Sequence, residues 1–210
     1  MADILQQIAS NLYDGEDQEV AALVQQALDE GTEPSEILQG GLIAGMDEVG
    51  RDFKAGDLFV PEVLIAARAM HAGRDVLRPL LAVGDVMSAG KYVIGTVKGD
   101  LHDIGKNLVR MMLEGAGFEM VDLGTDVEPQ DFVDAVSEHQ PQLLGMSALL
   151  TTTMVQMKTT IEALEEAGLR DSVKIMVGGA PVTDAYAQEI GADAYAADAA
   201  SAVDVARSLA

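Results

Sequence analysis

One short segment concentrates the residue types that can do chemistry. In GTVKGDLHDIGKN, residues 95–107, Asp100 and His102 stand two positions apart and are flanked by Gly99 and Gly105. In an extended loop, side chains at this spacing lie on the same side. A carboxylate that accepts a hydrogen bond from one imidazole nitrogen fixes the histidine tautomer and leaves the other nitrogen as a basic lone pair. The segment therefore contains the residues expected for a metal-ligating histidine and the carboxylate that orients it.

The number of possible ligands in this segment limits the kind of metal. One histidine with one carboxylate is too few for a transition metal held by protein groups alone, but suits a metal that brings most of its ligands in a macrocycle. The chain contains no cysteine, which excludes thiolate metal sites and disulfide bonds. Gly99 and Gly105 carry no Cβ, so the backbone can approach a bulky group closely.

The segments that follow predict the fold that presents this loop. Five short apolar runs, KYVIGTVKG, EMVDLG, LLGMSA, KIMVGGA and a weaker AYAA, alternate with helical patterns. This alternation predicts an α/β fold with a parallel, doubly wound sheet of five strands, Rossmann-like and of the flavodoxin type. If the strand order is 2-1-3-4-5, the loops GDLHDIG and SALLTTT meet at the crevice where a ligand binds. The helix after the third strand is expected to begin among Thr151 to Thr153.

Residues 1–88 predict a separate helical domain. ILQQIASNLY repeats apolar residues on one helical face, and three further segments, DQEVAALVQQALDEG, PSEILQGGLIAGMDEVGRDF and FVPEVLIAARAMHAGRDVLRPLL, continue the helical pattern. Gly31 is a candidate C-cap, and Pro34 stands near a helix start. Four amphipathic helices with short loops predict a small four-helix bundle. The boundary to the second domain, residues 89–210, is placed in GDVMSAG at about residues 84–90.

Composition excludes several classes of partner. The formal net charge of −22 repels phosphate backbones and anionic membrane surfaces, so neither nucleic acid nor a membrane is expected as a partner. Hydrophobic residues make up 49% of the chain, enough for a sizeable core. The first residues lack the pattern of a signal peptide, and no apolar stretch is long enough to span a bilayer. A soluble cytoplasmic protein is expected.

The spacing of Asp100, His102 and Gly105 resembles the D-x-H-x-x-G signature of cobalamin-binding domains. Three later stretches also match: VDLG at 121–124, SALLTTT at 147–153 and GG at 178–179. The preceding helices look like the cap that accompanies these domains in methyl-transferring proteins. The resemblance covers nearly the whole chain. It is nearest to the stand-alone corrinoid proteins of methylamine, methanol, glycine betaine and aryl-ether methyltransferase systems, and more distant from the corrinoid module of cobalamin-dependent methionine synthase.

The resemblance implies a role for each residue of the signature. His102 would be the lower axial ligand to cobalt, displacing the benzimidazole base of the cofactor, and Asp100 would hydrogen-bond its imidazole. Thr153, where related modules have serine, would complete a hydroxyl relay that couples protonation to the methylation state. Other cofactor-binding residues would lie in the histidine loop: Gly99, Asp103, Ile104 and Gly105. The slot for the displaced nucleotide tail would be lined by Ser147, Leu149, Thr151, Gly178 and Gly179.

The remaining expectations concern the start of the helix after the histidine loop, the other two histidines and the helical domain. Asp103 is expected to cap the helix that begins at Ile104. Lys106 has two interpretations, a solvated side chain or a contact with a corrin carboxamide. His71 and His139 are expected on helix faces rather than as ligands. The helical domain should supply a residue that covers the methyl-bearing face of the cofactor, with these candidates: Phe59, Val60 and Leu64.

The function implied by the resemblance is that of a methyl carrier. The chain would bind cobalamin, as methylcobalamin or a related corrinoid, and shuttle a methyl group between a substrate-specific methyltransferase and a second methyltransferase acting on tetrahydrofolate or a thiol acceptor. A reductive-activation protein is a further expected partner. No substrate pocket with a general acid and base is evident, which favours a carrier subunit over a complete enzyme. The methyl donor and acceptor stay open.

Two alternatives remain. The small cobalamin-binding subunit of a radical mutase would use an adenosyl cofactor, but a helical cap suits methyl chemistry better. A cobalamin sensor or receiver-like regulatory domain that acts on DNA would need a basic recognition helix, which the sequence does not show.

Overall fold

A computed structural model describes residues 2–81 and 89–210. The chain divides into two compact units. One comprises Met1–Ser88 and Gly115–Gly117, and the other comprises Ala89–Glu114 and Phe118–Ala210. Of the expected boundary at 84–90, residues 84–88 lie outside the described part of the chain.

The described residues of the first unit form helices. They are α1 (Ala2–Tyr13), α2 (Asp17–Asp29), α3 (Pro34–Ile37), α4 (Ala44–Ala55) and α5 (Val60–Leu77). A wide π-helical turn, Leu38–Ile43, joins α3 to α4 without a break, so the third predicted helix is one run with a change of pitch. Glycine allows this run to approach α1, since a Cβ on Gly45 would lie 3.0 Å from the Ala9 carbonyl oxygen. The expected N-terminal helical region is therefore confirmed, whereas the π turn was not predicted.

The second unit is built on a parallel five-stranded sheet. Its strands are β1 (Lys91–Thr96), β2 (Glu119–Asp122), β3 (Leu143–Ser147), β4 (Lys174–Gly178) and β5 (Ala194–Ala196). Their order across the sheet is β2-β1-β3-β4-β5. The register sets Thr96 opposite Ser147 and Ser147 opposite Gly178, so β1, β3 and β4 end at the same level. The predicted fold class is confirmed. The observed strand order is the one under which the loops after β1 and β3 were expected to meet, and these loops leave the sheet side by side.

Helices follow the strands as the alternating pattern predicts. They are α6 (Ile104–Gly115), α7 (Pro129–His139), α8 (Val155–Glu166), α9 (Asp184–Glu189) and α10 (Ala199–Leu209), with a 3₁₀ turn at Arg170–Ser172. The expected start of α8 among Thr151 to Thr153 is wrong. These threonines lie in a turn, and the N–H groups of Thr153 and Met154 both donate to the Leu150 carbonyl. None of the described helices is long and apolar enough to cross a membrane.

The central strands are buried on both faces, which explains their nearly continuous apolar sequences. Val93, Leu144 and Ile175 belong to one core cluster that also contains Phe132 of α7. Phe132 lies directly over Gly95, because a Cβ on that glycine would be 2.8 Å from the ring atom Cζ. The glycine in the middle of β1 therefore lets the helix layer approach the sheet.

Replacing Gly95 with alanine should destabilise the protein. The added methyl group would force the buried Phe132 ring to move, and overpacking of this kind costs about 1 to 3 kcal/mol. The free energy of unfolding, measured by urea denaturation, should fall with an unchanged m-value. Gly105→Ala is the control, since a Cβ there meets no atom within 4 Å and should not lower stability. A Gly95→Ala protein as stable as the parent would contradict the close packing of α7 on β1.

Candidate functional site

The loop that follows β1 begins with a tight turn. The N–H of Asp100 donates to the carbonyl of Val97 at 3.1 Å, and Gly99 between them has φ of +78°. A turn with a left-handed residue at its third position favours glycine there. Gly99 is thus required by the backbone conformation that brings Asp100 back toward the sheet.

Asp100 joins the loop after β1 to the loop after β3. Its side chain is fully buried, and both carboxylate oxygens are occupied. Oδ1 accepts the backbone N–H of His102 at 3.1 Å and lies 2.6 Å from Nδ1 of the His102 ring. Oδ2 accepts the N–H of Leu149 at 2.8 Å and the hydroxyl of Thr153 at 2.6 Å. The structure therefore brings Asp100, His102 and Thr153 together.

These hydrogen bonds decide the ionisation of Asp100. Burial raises its pKa, but the hydrogen bonds from Thr153, the Leu149 N–H and His102 outweigh burial, so the pKa of Asp100 lies well below its ordinary value. An ionised carboxylate can only accept, so the proton between the two side chains lies on Nδ1 of His102. In the neutral ring the lone pair is then at Nε2, and the side chain is 50% exposed. The site therefore presents an oriented imidazole nitrogen with a lone pair, which is the chemical requirement for a metal ligand.

Thr153 fits its position without crowding. Its side chain is buried, and a Cβ built on Gly99 would lie 3.7 Å from the Thr153 methyl carbon, an ordinary van der Waals distance. Thr153 therefore donates to Asp100 and has room for its methyl group beside Gly99.

A second loop, after β2, braces the histidine loop from the other side. The Asp126 carboxylate accepts the N–H of Gly99 at 2.6 Å, and its own N–H donates to the carbonyl of Asp100 at 3.0 Å. Asp126 has φ of +56°, a left-handed conformation that aspartate tolerates better than most residues. Nearby, Lys98 forms an exposed ion pair with Glu128 at 2.8 Å. Asp126 was not predicted from the sequence, although an acidic residue shortly after the second strand was a signal that could have found it.

Lys106 is not a solvated side chain. The side chain is 2% exposed, and its Nζ lies 2.6 Å and 2.7 Å from the two carboxylate oxygens of Asp122 at the end of β2. The third ammonium proton is directed to Oδ1 of Asn107 at 2.9 Å. All three donors are engaged, which leaves none for a corrin carboxamide. Lys106 ties the first turn of α6 to β2.

The remaining residues of the histidine loop are at the surface. Asp103 accepts the Asn107 backbone N–H at its carbonyl and the Asn107 side-chain amide at its carboxylate, so it supports the first turn of α6. Ile104 is 78% exposed although it is apolar. Gly105 is exposed, and nothing lies within 4 Å of an added Cβ. The start of α6 is thus open on the side where a ligand would approach.

The residues proposed for the nucleotide slot lie at the ends of β3 and β4. Ser147 ends β3, and the exposed Thr151 lies in the turn that follows. Gly178 ends β4, while Gly179 has φ of +128° and an added Cβ there would overlap the Ala148 carbonyl oxygen. The close approach of the two backbones is therefore sufficient reason for glycine at 179, independent of any ligand.

The donor set fits a macrocyclic metal group better than a bare ion. Within residues 2–81 and 89–210, no group of three or more histidine, cysteine, aspartate or glutamate side chains could hold a metal ion. The loops at the carboxyl ends of β1 and β3 instead expose large apolar side chains, as a flat and largely apolar ligand requires. These are Leu101, Ile104, Leu149 and Leu150.

Other expected residues lie away from this loop. His71 on α5 and His139 at the end of α7 are partly buried helix residues. The three cap candidates are exposed, Phe59 by 66%, and they lie at the N-cap and in the first two turns of α5. Their contact with a cofactor stays a prediction.

Comparison with known proteins identifies the family. Two family profiles, each described as a B12 binding domain, match residues 90–204 and 4–78. The chain belongs to the B12-binding corrinoid proteins. It is 48% identical over 208 residues to a dimethylamine corrinoid protein of Methanosarcina barkeri, covering 99% of this chain and 97% of that one. It is 48% identical over 196 residues to a trimethylamine corrinoid protein of Methanosarcina acetivorans, covering 92% and 91%.

A solved structure shows the same architecture. The methanol:cobalamin methyltransferase complex MtaBC from Methanosarcina barkeri contains a chain that aligns with a TM-score of 0.89 and 30% identity, over 98% of this chain and 79% of that chain. The resemblance drawn from the D-x-H-x-x-G signature is therefore confirmed at the level of the family.

Removing the hydroxyl of Thr153 should destabilise this corrinoid protein. Thr153→Val leaves the buried Asp100 carboxylate one donor short, which costs about 1 to 3 kcal/mol in the free energy of unfolding. Thr153→Ser keeps the donor and should lose no more than about 1 kcal/mol for its missing methyl group. Urea denaturation of the cofactor-free protein at neutral pH measures both.

The loss of unfolding free energy in Thr153→Val should also depend on pH. The Thr153 hydrogen bond lowers the pKa of Asp100, so its contribution is complete above the ordinary value of 3.8 and is lost as the pH falls toward the lower folded-state pKa. The difference between Thr153→Val and the parent should therefore shrink on acidification. A difference that is constant across this range would show that the hydroxyl does not act on the ionised carboxylate.

Proposed function

We propose that the chain binds a corrinoid through Nε2 of His102 in place of the nucleotide base of the cofactor, and that it carries a methyl group between two methyltransferases. The observation that carries the proposal is the buried Asp100 carboxylate 2.6 Å from Nδ1 of a half-exposed His102 ring. A bound corrinoid supplies a cobalt centre that can accept and release a methyl group. The residues proposed to hold it are His102 as ligand and the exposed apolar side chains of the surrounding loops.

The protein's own contribution is control of one proton. Asp100 holds a proton at Nδ1 and so keeps Nε2 free to act as a ligand. The Thr153 hydroxyl, the Asp100 carboxylate and the His102 ring form an unbroken hydrogen-bonded line. We assign to this line the uptake and release of a proton as Nε2 is freed or bound.

The relatives support a place in a methyltransferase system. They are named for dimethylamine and trimethylamine, and a chain of the MtaBC complex has the same architecture. The proposed partners are a methyltransferase that takes the methyl group from a methylated amine or from methanol and a second one that passes it to tetrahydrofolate or a thiol. A reductive-activation protein completes the set. The match to a B12-binding profile within the helical region favours a carrier over a radical mutase subunit.

Loss of the imidazole should change the cofactor spectrum without unfolding the protein. His102→Ala removes a half-exposed ring, so the variant should fold and should still take up cobalamin through its remaining contacts. Its absorption spectrum should lack the features of an imidazole-ligated cobalt. His139→Ala is the matched control and should retain them.

The two parts of the proposal fail separately. A ligated spectrum in His102→Ala would remove the axial-ligand assignment. Transfer of labelled methyl groups from dimethylamine, trimethylamine or methanol, each with its cognate methyltransferase, tests the carrier function, and cobalamin-loaded protein that accepts a methyl group from none of them would overturn it.

Gly105→Ala should separate binding from stability. The added Cβ meets no protein atom, and alanine is the better helix former by up to about 1 kcal/mol, so the cofactor-free variant should be at least as stable as the parent. If this open space belongs to the corrinoid, affinity for cobalamin should fall at the same time. Titration followed by absorbance measures the affinity, and an unchanged dissociation constant would show that the ligand lies elsewhere.

A further inference from the structure

Thr96 carries a buried hydroxyl that makes no contact with the Asp100 carboxylate and lies outside the line from Thr153 to His102. Thr96 ends β1 and is fully buried. Its N–H donates to the Gly124 carbonyl at 2.9 Å, and its carbonyl accepts the Val127 N–H at 3.0 Å. Both backbone groups are thus fixed, and a β-branched side chain has few rotamers. The hydroxyl donates to the backbone carbonyl of His102 at 3.0 Å.

The hydrogen bonds that hold His102 come from two different residues, Asp100 and Thr96. The backbone N–H and the ring Nδ1 of His102 both contact Oδ1 of Asp100, so two of the bonds meet at a single atom. A residue tethered to one atom can still pivot about it. The bond from Thr96 reaches the other end of the His102 backbone and starts from the rigid strand. It therefore removes the remaining rotation of the His102 peptide relative to the sheet.

We propose that Thr96 is a positioning residue for His102, and that its hydroxyl sets the direction in which Nε2 faces the cofactor. The inference rests on the proposed function, because the direction of Nε2 matters only if that nitrogen binds a metal. Thr96 is buried beneath the loop and acts through the His102 backbone, without touching the ligand. Asp100 selects the tautomer, and Thr96 selects the orientation.

Four variants separate positioning from simple loss of stability. Thr96→Val is nearly isosteric and replaces the hydroxyl with a methyl group, whereas Thr96→Ser keeps the donor. Thr96→Ala loses the donor without pressing a methyl group against the His102 carbonyl. Thr160→Val is the control, because Thr160 is also a buried threonine, 1% exposed, and its hydroxyl donates to the Gln156 carbonyl at 2.9 Å within α8.

The first readout uses the cofactor-free protein. The chain has three histidines, so the ring signals of His102 can be assigned in nitrogen-correlated NMR spectra by comparison with His102→Ala. We expect the Nδ1–H signal of His102 to be shifted or broadened in Thr96→Val and preserved in Thr96→Ser. Thr160→Val should lower the melting temperature and leave the ring signals of His102 unchanged.

The second readout uses the protein loaded with cobalamin. The ratio of imidazole-ligated to unligated cofactor, read from the absorption spectrum, should fall by about 3- to 10-fold in Thr96→Val, the scale of one lost hydrogen bond. Thr96→Ser should restore the parental ratio. Thr160→Val should match the parent despite its lower stability.

Two results would overturn the inference. Parental ring signals and a parental ligation ratio in Thr96→Val would show that the hydroxyl only stabilises the fold, and so would equal effects of Thr96→Val and Thr160→Val on both readouts. If Thr96→Val does not fold, the comparison of Thr96→Ala with Thr96→Ser decides by the same criteria. If the parent binds no corrinoid, the proposed function fails, but the ring signals of the cofactor-free protein still decide the role of Thr96.

Discussion

The buried carboxylate of Asp100 is the constraint on which the rest of the site depends. A charge removed from water is tolerated only where donors replace the lost hydration, and here the protein supplies four contacts to two oxygens. Two come from His102 and two from the loop after β3. The ionised acid therefore exists because two loops of the sheet converge on it, and the tautomer of His102 follows from that convergence.

The register of the β-strands brings these two loops together. Because β1, β3 and β4 end at the same level, the loops that leave them are neighbours, and a carboxylate on one can reach an N–H on another. The tight turn at Gly99 directs Asp100 inward, and Asp126 in the adjacent loop holds the turn from outside. Lys106, buried against Asp122, fixes the start of α6 relative to β2. Rigid strands thus position a site whose functional atoms are all in loops.

Much of the fold and the location of the candidate site could be predicted from the sequence. The alternation of apolar runs and helical segments predicted the parallel sheet, and the D-x-H-x-x-G spacing singled out Asp100 and His102. Properties that depend on partners distant in the chain could not be predicted. Lys106 is buried in an ion pair with Asp122, which is sixteen residues later in the chain. Thr153, in the turn before α8, donates its hydroxyl to Asp100 in a distant loop. The periodicity of apolar residues does not indicate which distant residues pair. It also does not indicate the π turn at Leu38–Ile43, next to which Gly45 packs against α1.

The dual attachment of Asp100 has an evolutionary consequence. Changes near Leu149 and Thr153 alter the same acid that orients the His102 ring, so their effects cannot add independently to those of changes in the β1 loop. The effect of a substitution in one of these two segments is therefore expected to depend on the residues of the other. A substitution accepted in one of them is tolerated or rejected according to the residues already present in the other.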